Sequence, residues 1–272
     1  MVNKVCAYQI FYDAETFAHR DPGFEVLDNM SNRRPDWREY WPIRNFLLTN
    51  ENLEEDAYYG FLSPKFREKT GLSAQDVYDF LERGSPSVDV FSFSPFFDQA
   101  AMFENIFEQG EIHHPGLIKS SMDFMSALGL DASLVSRIGH SRNTIYCNYF
   151  FAKPDFWRHW LKINEVLFAH CEVNTTAWAR SFNEGTKHAS GSCPLKVFLV
   201  ERVASLLLAT GDYHCMAYKP ADLPRTNSKA GMLGEELVIA DALKQAFVAT
   251  GDKHYLHAFY IYRAAVMKKI AA

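Results

Sequence analysis

Of the carboxylates in this 272-residue chain, Glu201 has the surroundings least suited to a charge. It lies in Leu195–Thr210, LKVFLVERVASLLLAT, a run that is apolar nearly all round. On a helix its neighbours one turn away are Val197 and Phe198 on one side and Ala204 and Ser205 on the other. A carboxylate in that setting must be paired, hydrogen-bonded or protonated. Such a setting gives a general base its raised pKa. The structural alternative is an internal ion pair, with Arg202 or a more distant cation.

Other groups with useful chemistry are more scattered. Asp89 stands inside or just ahead of an apolar strand-like run, Val88–Phe93. An aspartate there can hold a ribose hydroxyl or a metal, and two acids one residue apart commonly grip a diphosphate-bound metal. Here the positions two before and two after are Ser87 and Phe91, so the acid pair is incomplete and Asp89 alone is a weak metal ligand. A turn or cap contact is its other use. His113, His114 and His140 invite a zinc reading, in which a metal-dependent hydrolase would use the adjacent pair. Adjacent histidines on a strand point to opposite faces, however, and no third ligand stands at recognisable spacing. One of the two could instead contact a phosphate or act as an acid. Asp28-Asn29 could bind ligand hydroxyls from a loop or form an Asx-turn. No GxGxxG, GxxxxGK(S/T) or GxSxG occurs, which disfavours dinucleotide, P-loop and serine-hydrolase chemistry.

These residues need elements to hold them. Val88–Pro115 organises the centre of the chain: a short strand, then Ser94-Pro95 as N-cap and first helical residue, then a helix with Phe103, Ile106 and Phe107 on one face. Asp98 and Gln99 fall in its first turns, and His113 and His114 follow its end. Strands are also expected at Lys4–Tyr12, Asp56–Leu62, Asn143–Ala152 and Tyr213–Tyr218. Strand, Xaa-Pro and helix recur at Pro64, Pro95 and Pro154. That alternation predicts an α/β sheet flanked by helices, with sites at the strands' carboxyl ends. Helices are expected around Tyr40–Leu47, Leu72–Glu82, Leu117–Leu128, Pro154–Phe168 and Leu195–Thr210, the last ended by Gly211. Asp13–Asn32 and Asn174–Pro194 are rich in turn formers and polar residues and are expected as loops. Met232–Ala249 and Asp252–Ile270 form a helical pair after a linker. The expected division is an α/β domain over 1–220 and a helical appendage over 221–272.

Composition bounds the function. The net charge of -5 argues against a nucleic-acid partner, which would require surplus Lys and Arg. Cys6, Cys147, Cys171, Cys193 and Cys215 are odd in number and at no metal-finger spacing, which suits reduced thiols in the cytoplasm. No signal-peptide pattern or run of about 18 apolar residues is present. Tyr255, Phe259, Tyr262, Val266 and Ile270 form a stripe ahead of Lys268-Lys269. That stripe suits packing on the main domain, a homodimer contact or peripheral contact with the inner membrane.

Taken in chain order, several of these residues follow a pattern. Asp28, Asn29 and Ser31 lie in the first loop, and Glu39 in an aromatic-rich helix. Gly60 stands toward the end of a strand with Ser63 and Lys65 after it, and Asp89 precedes Pro95. Gln99 and His113 or His114 come next, then Asn148 before an apolar strand, and finally the Glu201-Arg202 pair. In that order the chain resembles a bacterial group of glycosyltransferase-like proteins encoded among capsule and lipopolysaccharide synthesis genes, related to the GT-A superfamily. The match runs from about residue 4 to about residue 220 and leaves the C-terminal pair outside. The resemblance implies a Rossmann-like mixed sheet and transfer of a sugar from a nucleotide-sugar donor to a glycan or lipid-linked acceptor. It places Glu201 as base, with Arg202 and Lys65 neutralising the leaving group. Asp28, Asn29, Glu39, Ser63, Lys65 and Asp89 would face the donor, and Asp98, Gln99, His113, His114 and Asn148 the acceptor or phosphates. Mn or Mg would accompany a DxD pair, which this chain lacks. A non-catalytic glycan-binding or scaffold protein with a degenerate transferase fold is the alternative.

Overall fold

Strand alternation explains the layering of the protein. The computed structural model describes residues 4–50, 52–188 and 191–271. The chain opens with β1 (Val5–Phe11), α1 (Ala14–Ala18) and β2 (Glu25–Asp28), then α2 (Tyr40–Thr49) and β3 (Tyr58–Leu62). Next come α3 (Phe66–Thr70), α4 (Ala74–Glu82), β4 (Val90–Ser92), α5 (Phe97–Met102), α6 (Ile106–His113) and α7 (Leu117–Ala127). Then follow β5 (Phe150–Ala152), α8 (Pro154–Val173), α9 (Ala177–Asn183), β6 (Gly185–His188), β7 (Gly191–Pro194) and α10 (Leu195–Leu208). The chain closes with β8 (Cys215–Ala217), α11 (Glu235–Thr250) and α12 (Lys253–Ala271).

Six strands form one sheet in the order β2-β1-β3-β5-β4-β8. β1 is parallel to β2 and β3, and β4 is parallel to β8. β5 runs antiparallel to both β3 and β4, so it is the one reversed strand. Successive side chains enter opposite cores, as the twofold period of a strand requires. Cys6, Ile10, Tyr59, Phe61, Val90 and Phe150 pack on the face covered by α2, α8 and α10. Ala7, Tyr58, Leu62, Phe91 and Phe151 pack on the other, against α3 and α4. Gly60 leaves room for a ring from the next strand: a Cβ there would lie 2.4 Å from the ring of Phe151, its register partner.

The α/β sheet and the C-terminal helical pair match the expected fold class. Local chemistry sets many boundaries as the sequence suggests. Ser73 and Asp76 form a capping box for α4, and Pro154 opens α8. Several details differ. Ser94 does not cap the central helix; its hydroxyl accepts from Tyr146 N at 2.8 Å, and α5 starts at Phe97 behind Phe96, which has φ 68°. That helix also breaks, and Asn105 caps α6 by accepting from Phe107 N and Glu108 N. His113 and His114 therefore end a helix rather than sit on a strand. Asp13–Asn32 contains α1 and β2, and Asn174–Pro194 contains α9 and a two-stranded ribbon, β6-β7. Residues 189 and 190 of that second segment lie outside the described residues. The strand expected over Asn143–Ala152 is confined to Phe150–Ala152, because Cys147 and Asn148 take left-handed backbone conformations. α10 ends at Leu208, and Gly211 takes its left-handed φ of 84° two residues beyond the Ala209 cap.

α11 packs on α5, and α12 on α11. Phe97, Ala101, Met102, Leu237, Ala240, Phe259 and Val266 form their shared core. Lys244 anchors this seam by donating to the carbonyls of Ala100 and Phe103, and Asp241 accepts from Ser141 N and Oγ. Among the described residues no helix is long and apolar enough to cross a membrane.

Candidate active site

The parallel strands end together at one edge of the sheet, with the amino end of the reversed β5 beside them. Two hollows lie there, and Arg38 and Glu39 line both. The first is bounded by the end of β1 and the loop after β2, through Tyr12, Asn29 and Asn32. The second is bounded by Ser63 after β3, Lys69 of α3, Cys147 and Asn148 before β5, and Val197, Val200 and Glu201 of α10. The carboxyl edge of an α/β sheet is the usual place for a ligand, because loops and helix starts converge there.

Backbone strain gathers at the same edge. Asn32, Arg38, Cys147 and Asn148 have φ of 36°, 49°, 61° and 54°. Residues other than glycine rarely adopt positive φ, and such conformations persist only where the surroundings impose them. All four line the two hollows. Asn148 is buried, and its Oδ1 makes no hydrogen bond.

The electrostatics are unusual. Among the described residues the carboxylates of Glu201 and Glu39 have no hydrogen-bond or ion-pair partner. Glu201 is half-buried at the cleft wall. Burial raises its carboxyl above the usual glutamate range; Arg202 and Lys69 pull it back, and Glu39 pushes it further up. Burial works against the charge of Lys69, but Cys147, Glu201 and Glu39 outweigh it and keep the ammonium above its ordinary range. Lys69 donates to Cys147 Sγ at 3.2 Å. Burial lifts that thiol to about 11 despite the lysine. Ser63 and Tyr149 share a hydroxyl hydrogen bond of 2.7 Å behind this wall. The arrangement can accept a proton at Glu201 and stabilise negative charge at Lys69.

Five of the residues singled out from sequence meet in these hollows: Asn29, Glu39, Ser63, Asn148 and Glu201. Asp28 ends β2 as an exposed residue and accepts from Met30 N at 2.7 Å. Lys65 is exposed at the start of α3, and Lys69, one turn later, lines the cleft in its stead. Arg202 points away from the cleft. It is buried, and it donates to Ile106 O, Phe198 O and Gln109 Oε1. Gly110 makes room for it, since a Cβ there would lie 2.5 Å from its Nη2. Asp98 is buried and accepts from Thr226 N, Thr226 Oγ1 and Gln99 Nε2, which ties the linker to α5. His113 is exposed, and the His114 ring stacks 3.5 Å from that of Phe198. Asp89 precedes β4 at the opposite edge of the sheet, where it accepts from His214 N at 2.9 Å and lies 3.5 Å from Lys153 Nζ.

A divalent ion does not fit the expected residue. Asp89 is at the far edge, and among the described residues no three His, Cys, Asp or Glu side chains converge as a metal site. Tyr12, Asn32, Arg38, Lys69 and Cys147 also line these hollows, although they were not among the expected site residues. Lys69 had a signal, being four residues after Lys65 and so on the same helical face, and Asn32 stands in a turn-rich segment; the left-handed Arg38 and Cys147 had none.

No protein-family profile matches the chain, and no curated protein matches it. Among solved structures, the apo structure of the bifunctional glycosyltransferase WbbM is similar with a TM-score of 0.47 and 12% identity. The alignment covers 83% of this chain and 47% of that one, so this chain spans about half the length of that protein.

Proposed function

We propose that the protein is a glycosyltransferase that moves a sugar from a nucleotide-sugar donor to a hydroxyl of a glycan or lipid-linked acceptor, with Glu201 as general base. The observation that carries this reading is the Glu201 carboxylate itself: without a partner among the described residues, raised by burial, and set in a cleft at the carboxyl edge of the sheet beside Lys69. Surface-polysaccharide synthesis in bacteria is the process that the sequence resemblance suggests. Residues 1–220 would form the catalytic body and 221–272 its appendage.

In the proposed step Glu201 accepts the proton of the acceptor hydroxyl. The acceptor oxygen bonds to the anomeric carbon as the bond from that carbon to the diphosphate oxygen breaks. The departing electron pair goes to the nucleoside diphosphate, where the Lys69 ammonium offsets the developing charge. Lys69 thus takes the role that the resemblance implied for Lys65 and Arg202. Asn29, Asn32 and Tyr12 offer amide and hydroxyl groups to the donor. No step passes through a metal.

A thermal-shift panel of nucleotides and nucleotide sugars tests the reading, since ligand binding to the folded state raises the melting temperature. One nucleotide family is expected to produce a shift. Glu201→Gln should keep that shift and lose about 10²- to 10⁴-fold in transfer, the usual contribution of a positioned base. A flat panel, or wild-type turnover in the variant, overturns the proposal.

A further inference from the structure

The chain segment carrying Glu39 is clamped on both sides. Ahead of it, the Pro35–Trp37 turn sets Asp36 between two cations. Arg34 binds Asp36 through Nε and Nη2, each at 3.0 Å, and Lys196 donates to its Oδ2 at 2.8 Å. Burial pushes the Asp36 carboxyl up, but these two cations outweigh it and leave it below its ordinary range. Arg34 extends the network to Glu172 of α8. On the other side of Glu39, Tyr40 donates to Glu165 Oε1 at 2.5 Å, and Arg44 binds both oxygens of that carboxylate.

Lys196 is the unexpected member of this network. It is buried in the first turn of α10, 4.2 Å above the Trp37 ring, and also donates to Asn183 Oδ1 at 3.0 Å. Glu201 lies five residues further along the same helix, about 7.5 Å at the rise of an α-helix. The Lys196 end of this pair is buried and the Asp36 end is partly exposed; such a pair adds little net stability, but it fixes geometry, because the buried ammonium left alone would be costly. Here the pair joins the turn before Glu39 to the helix that carries Glu201.

We infer that the Asp36–Lys196 pair is the positioning element of the cleft: it ties the turn leading to Glu39 to α10 and holds Glu39 and Glu201 in one hollow. Neither Asp36 nor Lys196 lines that hollow, so both are positioning residues that act through Glu39. The inference rests on reading Glu201 as the base. The charges that act most on Glu201 are Arg202 and Lys69, then Glu39 and Arg38. Glu39 and Arg38 share the segment that the pair anchors; Glu39 raises Glu201, and Arg38 lowers it by less. Release of the anchor should therefore let Glu201 ionise more easily.

A carbon-13 NMR titration of the Glu201 side-chain carboxyl in the full chain tests this without any substrate, with the resonance assigned by its loss in Glu201→Gln. Lys196→Met leaves Asp36 paired with Arg34, and is expected to move the Glu201 titration down toward that of an ordinary glutamate. Glu39→Gln should move it in the same direction. The double variant should move it no further than Glu39→Gln alone, since residues acting through one another are not additive. Asp36→Asn should reproduce the shift, and it stands in if Lys196→Met does not fold. An unmoved titration in the folded variants overturns the inference, as does a shift from Lys196→Met that persists at full size in the Glu39→Gln background. Retained turnover in Glu201→Gln would remove the base yet leave the titration result intact, so the two failures are distinct.

Discussion

The two edges of the sheet handle polar groups in opposite ways. At the amino edge, Asp89 caps His214 and pairs with Lys153. In the seam behind α5, Asp98 accepts three hydrogen bonds. At the carboxyl edge, Glu39 and Glu201 have no partner among the described residues, Asn148 buries an unbonded oxygen, and four non-glycine residues hold left-handed backbone. Glu201 and Arg202 repeat the contrast within one helix: the acid faces the cleft, while the neighbouring guanidinium makes three hydrogen bonds inside the core. Satisfied polar groups contribute to the fold. Unsatisfied ones reduce stability and leave bonding capacity for a ligand.

The largest effect is expected from exchanging the roles of the neighbours. Glu201→Gln should lose about 10²- to 10⁴-fold in transfer yet raise the melting temperature at neutral pH. The sign follows from the raised carboxyl: the folded state holds the proton more tightly than the unfolded chain. Stability from this group is thus complete below the unfolded glutamate value of about 4.3 and is lost as pH rises through the folded one. The advantage of glutamine over glutamate should therefore disappear in acid, which calorimetry across pH will detect. Arg202→Met should do the reverse, costing about 3 kcal/mol or more by leaving its buried acceptors unpaired, as urea unfolding will measure. Destabilisation by Glu201→Gln at neutral pH would place Glu201 with the structural set.

A smaller effect is expected at Asp98. Asp98→Ala frees Thr226 and the linker from α5 and should cost about 2 kcal/mol. Faster amide exchange over the linker, without loss of nucleotide binding, is the accompanying expectation. The smallest is Asp89→Asn: the amide oxygen can still accept from His214 N, and only a partly exposed ion pair is lost, about 0–1 kcal/mol. A large loss of donor binding in that variant would bring the amino edge back into the site.

Some of the site was legible because burial of a charge can be read from its neighbours. Glu201 stands in a run so apolar that its carboxylate needs an explanation in any fold. Ser63 lies just beyond a strand whose ending Pro64 announces, whereas β2, which ends just before Asn29, stands in a segment expected as a loop. The α/β class followed from three strand–proline–helix repeats. The reversed β5, by contrast, has no mark of direction in Phe150–Ala152. The split of the central helix at Asn105 was masked by the continuous apolar face of Phe103, Ile106 and Phe107.

Periodicity and the local chemistry of caps and turns were enough to read the α/β alternation, the buried helix around Glu201 and the apolar faces of the central strands, but not α1, β2, α9 or the β6-β7 ribbon, which lie in segments rich in turn formers. Only the tertiary structure decided that Glu39 and Glu201, 162 positions apart, share a cleft. It also placed Lys69 rather than Lys65 beside them, and it put Arg202 and Asp89 elsewhere. The physical reason is that a side chain's partners come from other elements: strand order selects the edge, helix rotation selects the face, and packing holds Cys147 in a left-handed conformation that a cysteine does not favour locally.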